Sequence, residues 1–193
     1  MAPIMTTNKL PINQDLLIDT MPNSNIVESL PLFPMKLSEL AKRLKLEQDI
    51  DFTPTRSRDT DAGFDVKACI GSPIVMDASI NKVVTIPTGV FIDLEEHGQH
   101  LPANEVLMMK VMVRSGTKGL RLWNQTGLID QGYHGELMLK IFNGGPNSIV
   151  INPGDRIAQF TIEKALLCEF DLVDEFTNKT ERGTNNFNSS GTK

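Results

Sequence analysis

The chain has 193 residues, 40% of them hydrophobic, and a formal net charge of −5, which allows one domain with a real core and one or two tails. The negative charge argues against a nucleic-acid-binding protein that neutralises phosphates, although two or three placed arginines could still hold a small anion. Because no apolar run approaches the about 20 residues of a membrane span and the N-terminus lacks a secretory apolar region, we expect a cytoplasmic protein without a membrane or nucleic-acid partner.

The N-terminal part combines a polar arm with one helical pattern. Residues 1–27 are rich in Asn, Thr, Pro and Met and show no sustained period, which predicts a flexible arm. Residues 36–46 place apolar side chains on one helical face, which predicts a short helix. The side chains of that face are Leu37, Leu40, Ala41 and Leu44.

From about residue 62 onward, short apolar or β-branched runs alternate with Gly, Pro, Asn and Asp. Seven or more short strands with frequent turns predict an all-β sandwich or barrel, and we expect this β domain to occupy residues 28–176. The apolar runs include residues 83–86, 90–94, 106–113, 137–142, 149–151 and 157–162.

The sequence contains no recognisable metal or redox motif. Cys69 and Cys168 are far apart and lie in apolar, strand-like stretches, so we expect buried free thiols. Residues 95–104 are predicted to form a long surface loop. Its His97 and His100 are expected to be solvated, because no third metal ligand is visible nearby.

Residues 127–139 carry the most chemical information in the chain. Two short apolar runs flank a Gly-rich turn, which predicts a β-hairpin. Asp130 and Tyr133, the only tyrosine, stand at its bend. A carboxylate and an aromatic ring on a rigid hairpin could hold a water molecule and a flat ligand together. An ordinary polar turn is the simpler alternative when this segment is considered alone.

Three other segments suit a small anion. Residues 114–116 (Arg-Ser-Gly) close a long strand with a guanidinium, a hydroxyl and a glycine that lets the backbone approach a phosphate. Residues 153–159 predict a turn followed by a strand that carries Gln159, and residues 61–65 predict a turn that presents the carboxylate of Asp65. No nucleophile–base pair, Walker A loop or dinucleotide-binding motif is evident. An enzyme built this way would use water as nucleophile, a carboxylate as base, and arginines with Mg²⁺ to stabilise charge.

The polar C-terminal residues 177–193 allow two interpretations. They can be a frayed tail, or a mobile lid in which Arg182 binds a phosphate and Phe187 stacks on a ring.

Taken together, these segments resemble the homotrimeric dUTPases, the deoxyuridine triphosphate pyrophosphatases, from residue 36 to residue 191. The counterparts of that family's five ordered motifs are residues 61–65, 114–116, 127–135, 154–159 and 182–191. The resemblance implies a jelly-roll β subunit with one short helical insertion. It also implies a threefold trimer, with sites between subunits that are closed by the C-terminal arm of a neighbour. The implied reaction is the Mg²⁺-assisted hydrolysis of dUTP to dUMP and pyrophosphate, which keeps uracil out of DNA and supplies dUMP.

The resemblance also implies a role for individual residues. Asp130 would be the general base that orients water for attack on the α-phosphorus, and Asp65 would touch Mg²⁺ through water. Tyr133 would pack under the deoxyribose and leave no room for a 2′-hydroxyl. The remaining contacts would be Asn124, Leu128, Ile129 and Met138 for uracil, Arg114, Ser115, Gly116 and Gln159 for the phosphates, and Arg182 and Phe187 from the arm.

Two alternative functions are compatible with the same fold. A dCTP deaminase would carry a catalytic glutamate three residues before Asn143, where this chain has Lys140. A regulatory module would bind the nucleotide without turnover. Apparent insertions near residues 43–51 and 96–104 have no function assigned by the sequence.

Overall fold

Eleven β-strands and two short helices form the part of the chain that this computed structural model describes, namely residues 30–117, 119–123, 127–178 and 180. In chain order they are β1 (Met35–Leu37), α1 (Glu39–Gln48), β2 (Phe64–Lys67), β3 (Ile74–Met76), β4 (Ser79–Pro87), β5 (Val90–Ile92), α2 (Glu95–Gly98), β6 (Glu105–Val113), β7 (Leu120–Leu122), β8 (Gly127–Asp130), β9 (Met138–Asn143), β10 (Ile149–Ile151) and β11 (Arg156–Leu166). The predicted all-β fold with one helical insertion is confirmed.

In the described part of the chain, all paired strands are antiparallel, and they form four sheets. The two larger sheets have the strand orders β2-β11-β6-β8 and β4-β9-β7, and the smaller ones pair β1 with β5 and β3 with β10. Buried residues alternate along β6 (Leu107, Met109, Val111) and along β9 (Leu139, Ile141). Because side chains of a strand point to opposite faces in turn, one face of each large sheet contributes to the same core.

Each of the six apolar runs overlaps an observed strand. The strands that the sequence did not predict are β1, β2, β3 and β7, which have only three or four residues each. Such short segments show too little periodicity to be recognised, and pairing with a distant strand is what makes them extended.

The predicted helix is confirmed, but it begins at Glu39 rather than at residue 36. Ser38 caps it, since its Oγ accepts a hydrogen bond from the Ala41 N–H at 3.1 Å. The three residues before the cap pair with β5 instead. On its inner face, Ala41 and Leu44 pack with Phe52 into a small second cluster of buried residues.

Three local predictions are wrong. Residues 95–104 contain α2, whose first N–H groups are accepted by the carboxylate of Asp93. His97 is half-buried and its ring lies 4.5 Å from that of Phe33, whereas His100 is exposed as predicted. Cys69 is buried, but Cys168 is exposed because it follows the last residue of β11 and belongs to no strand.

The predicted division into an arm (1–27), a β domain (28–176) and a second arm (177–193) stays a prediction, because most residues of both arms lie outside the described ranges. Within those ranges, no helix is long and apolar enough to cross a membrane.

Candidate active site

The chain reverses direction after β8, in a segment that we call the Asp130 turn (residues 130–136). The N–H of Tyr133 donates to the carbonyl of Asp130 at 3.1 Å. The predicted hairpin is nevertheless wrong, because β8 pairs with β6 whereas β9 pairs with β4 and β7. Beyond the turn, the N–H of Leu137 donates to the carbonyl of Val90 at 2.8 Å, and Thr88 Oγ1 donates to the carbonyl of Leu137 at 2.7 Å. These bonds attach the residues that follow the turn to Thr88 and Val90 and not to β8.

The ring of Tyr133 is held in place by its own turn. Its Oη donates to the carbonyl of Glu136 at 2.9 Å, and 43% of the residue remains exposed. The ring covers Gly135 so closely that any Cβ at that position would overlap it. The carboxylate of Glu136 in turn accepts the N–H of Gly89 at 2.7 Å. The turn therefore presents a fixed aromatic surface beside the exposed side chain of Asp130.

Two of the apolar residues predicted to bind uracil are exposed next to this turn. Leu128 is 59% exposed and Met138 is 44% exposed. Alternation along β8 places Leu128 on the same face as Asp130, whereas Ile129 packs against the core. Ile129 is partly buried, and its predicted contact with uracil stays a prediction. Asn124 lies outside the described residues.

A second cluster forms around Asp65. The predicted turn at this residue is wrong, because Asp65 lies in β2 opposite Gln159 and is only 5% exposed. Its Oδ1 accepts Arg114 Nε at 2.6 Å and its Oδ2 accepts Arg156 Nη1 at 3.1 Å. One buried carboxylate thus aligns two guanidinium groups, and together the three side chains carry a charge of +1.

The residues beside these arginines complete a surface for an anion. Ser115 and Gly116 are exposed in a turn that is closed by the N–H of Thr117 donating to the carbonyl of Arg114 at 3.2 Å. Gly116 and both arginines line a cleft of about 320 Å³. Gln159 is half-buried nearby, and its side chain covers Gly63, where an added Cβ would lie 2.7 Å from Gln159 Oε1. Guanidinium groups with free N–H donors suit phosphate oxygens.

Arg156 and Glu136 have no role that their sequence pattern predicts. Arg156 meets Asp65 only because β2 and β11 are antiparallel neighbours, and the two residues are 91 positions apart. Glu136 meets the backbone of Gly89 across 47 positions. The residues predicted from the arm, Arg182 and Phe187, lie outside the described part of the chain.

The two clusters are well separated within one chain. Asp130 lies opposite Met108 on β6, whereas Asp65 lies opposite Gln159, which lies opposite Met112. Four residues along the strands and three strand spacings across them give a Cα separation of about 20 Å between Asp130 and Asp65. The structure thus groups Asp130, Leu128, Tyr133 and Met138 at one place, and Asp65, Arg114, Ser115, Gly116 and Gln159 at another.

Comparison with known proteins decides the family. Residues 52–191 match the family model of dUTPase. The chain belongs to the dUTPase family. It is 41% identical over 133 residues to the deoxyuridine 5′-triphosphate nucleotidohydrolase of Gamma-proteobacterium EBAC31A08, an alignment that covers 67% of this chain and 88% of the relative. The corresponding enzyme of Aeromonas salmonicida (strain A449) is 38% identical over 133 residues, covering 67% of this chain and 80% of the relative.

A solved structure agrees with this membership. The dUTPase of Staphylococcus bacteriophage 80alpha with dUPNHPP is 26% identical, with a TM-score of 0.65, and the match covers 84% of this chain and all of that one. The predicted family, its jelly-roll β fold and the hydrolysis of dUTP to dUMP are confirmed. The membership favours this dUTPase activity over the alternative of dCTP deamination.

Proposed function

We propose that this dUTPase cleaves dUTP at sites shared between chains, with the Asp130 turn from one chain and the Asp65 cluster from a neighbour. The observation that carries the proposal is the strand register, which places Asp65 and Asp130 three strand spacings and four residues apart in one chain and corresponds to a Cα separation of about 20 Å. A general base has to reach the attacking water within about 3 Å, so the groups that neutralise the same phosphates have to lie close by. In a closed symmetric oligomer every chain contributes both halves, each to a different site. The homotrimer implied by the sequence resemblance has this property.

Asp130 acts as the general base. Its exposed carboxylate takes a proton from water while the water oxygen bonds to the α-phosphorus and the bond from that phosphorus to the bridging oxygen of the β-phosphate breaks. The products are dUMP and pyrophosphate, which leaves with the electron pair of the broken bond. Arg114, Ser115, Gly116 and Gln159 hold the phosphates, because their cluster presents N–H and O–H donors on an open surface.

Selection of dUTP follows from the fixed surface around Tyr133. The ring is fixed by its hydrogen bond to the Glu136 carbonyl and by its close contact with Gly135, so a 2′-hydroxyl on the sugar would overlap it. Leu128 and Met138 offer apolar contacts to uracil. A thymine methyl would overlap the same tight slot, and the 4-amino group of cytosine would leave backbone groups unpaired.

Asp65 suits a water-mediated contact with Mg²⁺ better than direct ligation. Each of its oxygens already accepts one arginine N–H and keeps one further acceptor position. In the described ranges, no three His, Cys, Asp or Glu side chains gather into a metal site. Mg²⁺ commonly retains waters and binds through substrate phosphates. When bound there, Mg²⁺ would supply further neutralisation of the triphosphate.

The arm completes the proposal. Arg182 would reach the outer phosphates and Phe187 would stack on uracil, and Asn124 would read the uracil edge. Deleting residues 182–193 should leave a folded oligomer with sharply reduced turnover of dUTP. A truncated protein with the full rate would contradict this role of the arm. The cytoplasmic location and the absence of nucleic-acid and membrane partners stay predictions.

Complementation between two inactive variants tests the shared site. Asp130→Asn removes the base, and Gly116→Asp places a negative charge beside the phosphates at a position where an added Cβ meets nothing within 4 Å. Each variant alone should lose most pyrophosphate release from dUTP. After subunit exchange of an equimolar mixture, about one quarter of the sites combine an intact base with an intact phosphate surface, so about one quarter of the wild-type rate should return.

The control is the same mixture without exchange, which should stay inactive. Native mass spectrometry verifies that mixed oligomers have formed. If mixed oligomers form and remain inactive, both halves of the site belong to one chain and the proposal is wrong. If wild-type protein releases pyrophosphate no faster than Asp130→Asn, the alternative role as a regulatory module is favoured.

A further inference from the structure

The Asp130 turn lacks the backbone support that a hairpin would provide. Its two flanking strands, β8 and β9, pair with different neighbours, so no described ladder joins them. Inside the turn, the described hydrogen bonds are those from the Tyr133 N–H and the Tyr133 Oη. The orientation of the turn therefore depends on contacts with the segments outside it. One of these segments is α2, in the region where the sequence analysis found an insertion without a function.

Gln131 connects the turn to α2 and to β6. Its Oε1 accepts the N–H of Leu107 at 2.9 Å, and its Nε2 donates to Glu95 Oε2 at 3.3 Å. The amide lies directly against Gly98, the last residue of α2, and a Cβ at that position would overlap it. The side chain of Gln131 can occupy this place only because residue 98 is a glycine.

His134 makes a second connection to the same element. Its Nε2 lies 3.3 Å from Asp93 Oδ1, the atom that also accepts the N–H of Glu95 at 2.8 Å at the start of α2. Asp93 is itself anchored, since its N–H donates to the carbonyl of Pro34 at 2.9 Å. A further charged residue, Lys36, lines the same cleft of about 330 Å³ as Asp93 and His134.

We propose that Gln131 and His134 are positioning residues, and that α2 with Asp93 is the support that holds the Asp130 turn in the orientation that binds dUTP. This inference rests on the proposed assignment of the turn to the dUTP site. It goes further in dividing the turn into two parts. Asp130 is placed by the ladder between β8 and β6, opposite Met108. The part from Gln131 to His134, which carries Tyr133, is held by side-chain contacts with α2 and Asp93, and the end of the turn is held by the bond between Glu136 and Gly89.

This division predicts which kinetic constant responds. Loosening the support should weaken binding of the sugar and base and leave the general base in place, so KM rises while kcat stays nearly constant. The contact between His134 and Asp93 is an ion pair only while the histidine is protonated.

Gly98→Ala is the first test, because the added methyl group displaces the Gln131 amide. We expect KM for dUTP to rise about tenfold while kcat changes less than about twofold. The matched control is Gly71→Ala, an exposed position outside α2 and the turn where an added Cβ meets nothing within 4 Å. Its KM should equal that of the wild type. Thermal unfolding of both variants verifies that they are folded.

Asp93→Asn is the second test, and it separates the ion pair from helix capping. Asparagine accepts the same backbone N–H groups as aspartate at a helix start, but it carries no charge to pair with His134. KM for dUTP in Asp93→Asn should be about threefold that of the wild type, while kcat changes less than about twofold. Lys36→Met, measured in parallel, should leave KM close to the wild-type value.

The outcomes distinguish the two levels of inference. A wild-type KM in Gly98→Ala, an equal loss of kcat and of affinity, or a wild-type KM in Asp93→Asn would overturn the support role alone. In that case Asp130→Asn would still be inactive. A fully active Asp130→Asn would overturn the assignment of the turn to the site, and the support role with it.

Discussion

Adding one methyl group at Gly135 should relax the discrimination between dUTP and UTP. A Cβ at residue 135 would lie 2.5 Å from Tyr133 Cζ and 2.9 Å from Tyr133 Cε2. An ordinary contact between carbon atoms is about 3.5 Å, so the ring has to move by about 1 Å. This shift breaks the hydrogen bond from Tyr133 Oη to the Glu136 carbonyl, which is 2.9 Å long. A displaced ring no longer occupies the position at which it would exclude the 2′-hydroxyl of a ribonucleotide.

The expected effect is a fall of about tenfold or more in the ratio of kcat/KM for dUTP to that for UTP, which corresponds to about 1.4 kcal/mol. Pyrophosphate release with each nucleotide measures it. Gly132→Ala is the matched control, since it adds the same methyl group to the same turn and meets nothing within 4 Å. It should alter the ratio far less.

A double-mutant comparison identifies the cause. Tyr133→Ala should lower the same ratio, and adding Gly135→Ala to it should have no further effect, because no ring remains to be displaced. An unchanged ratio in Gly135→Ala would refute the role of Tyr133 as the barrier to a 2′-hydroxyl. Equal losses in Gly135→Ala and Gly132→Ala would assign the effect to the turn backbone instead.

Three further substitutions examine other parts of the structure. Asp65→Asn should lower the free energy of unfolding by about 2 kcal/mol in urea titrations, because two guanidinium groups lose their shared counter-charge, and no loss would contradict that pairing. Gly63→Ala should raise KM for dUTP severalfold by displacing Gln159, and an unchanged KM would exclude Gln159 from phosphate binding. The hydrogen bond from the Thr53 backbone N–H is the largest of the contacts that lower the pKa of Asp51 to about 2. Because the unfolded value is about 3.9, the stabilisation by Asp51 is present above pH 4 and lost from pH 4 to pH 2. Thermal unfolding of Asp51→Asn should depend less on pH in that window.

The longest strands that the sequence predicted have a long apolar pattern. β6 has nine residues and β11 has eleven, enough to show both the apolar run and its end. The partner of a strand leaves no such local trace. The sequence of residues 127–139 predicts a reversal of the chain, but it does not show that β8 pairs with β6 and that β9 pairs with β4. The turn was therefore predictable and the hairpin was not.

The same distinction holds for the candidate site. Residue type and spacing were enough to single out Asp130, Tyr133 and Arg114 as chemically informative. The surroundings of Asp65 could not be predicted, because its two hydrogen-bonded partners are 49 and 91 positions away in sequence. The sequence predicts that Asp65 is exposed in a glycine-containing turn, but the pairing of β2 with β11 buries it. A sequence pattern can therefore identify a functional carboxylate without showing whether it faces a ligand directly or aligns the arginines that do.

The mode of support of the Asp130 turn has a consequence for specificity. A hairpin ladder would fix the turn through backbone hydrogen bonds, which side-chain substitutions leave in place. Here the ladder fixes Asp130 and the Gly89–Glu136 bond fixes the far end of the turn, whereas the part between them is held by contacts with a glycine in α2 and with one carboxylate, Asp93. If α2 supports the turn as proposed, substitutions in α2 change how the nucleotide is held without moving Asp130. An inserted element that is far in sequence from the phosphate-binding residues would then change the affinity for dUTP separately from the rate of the chemical step.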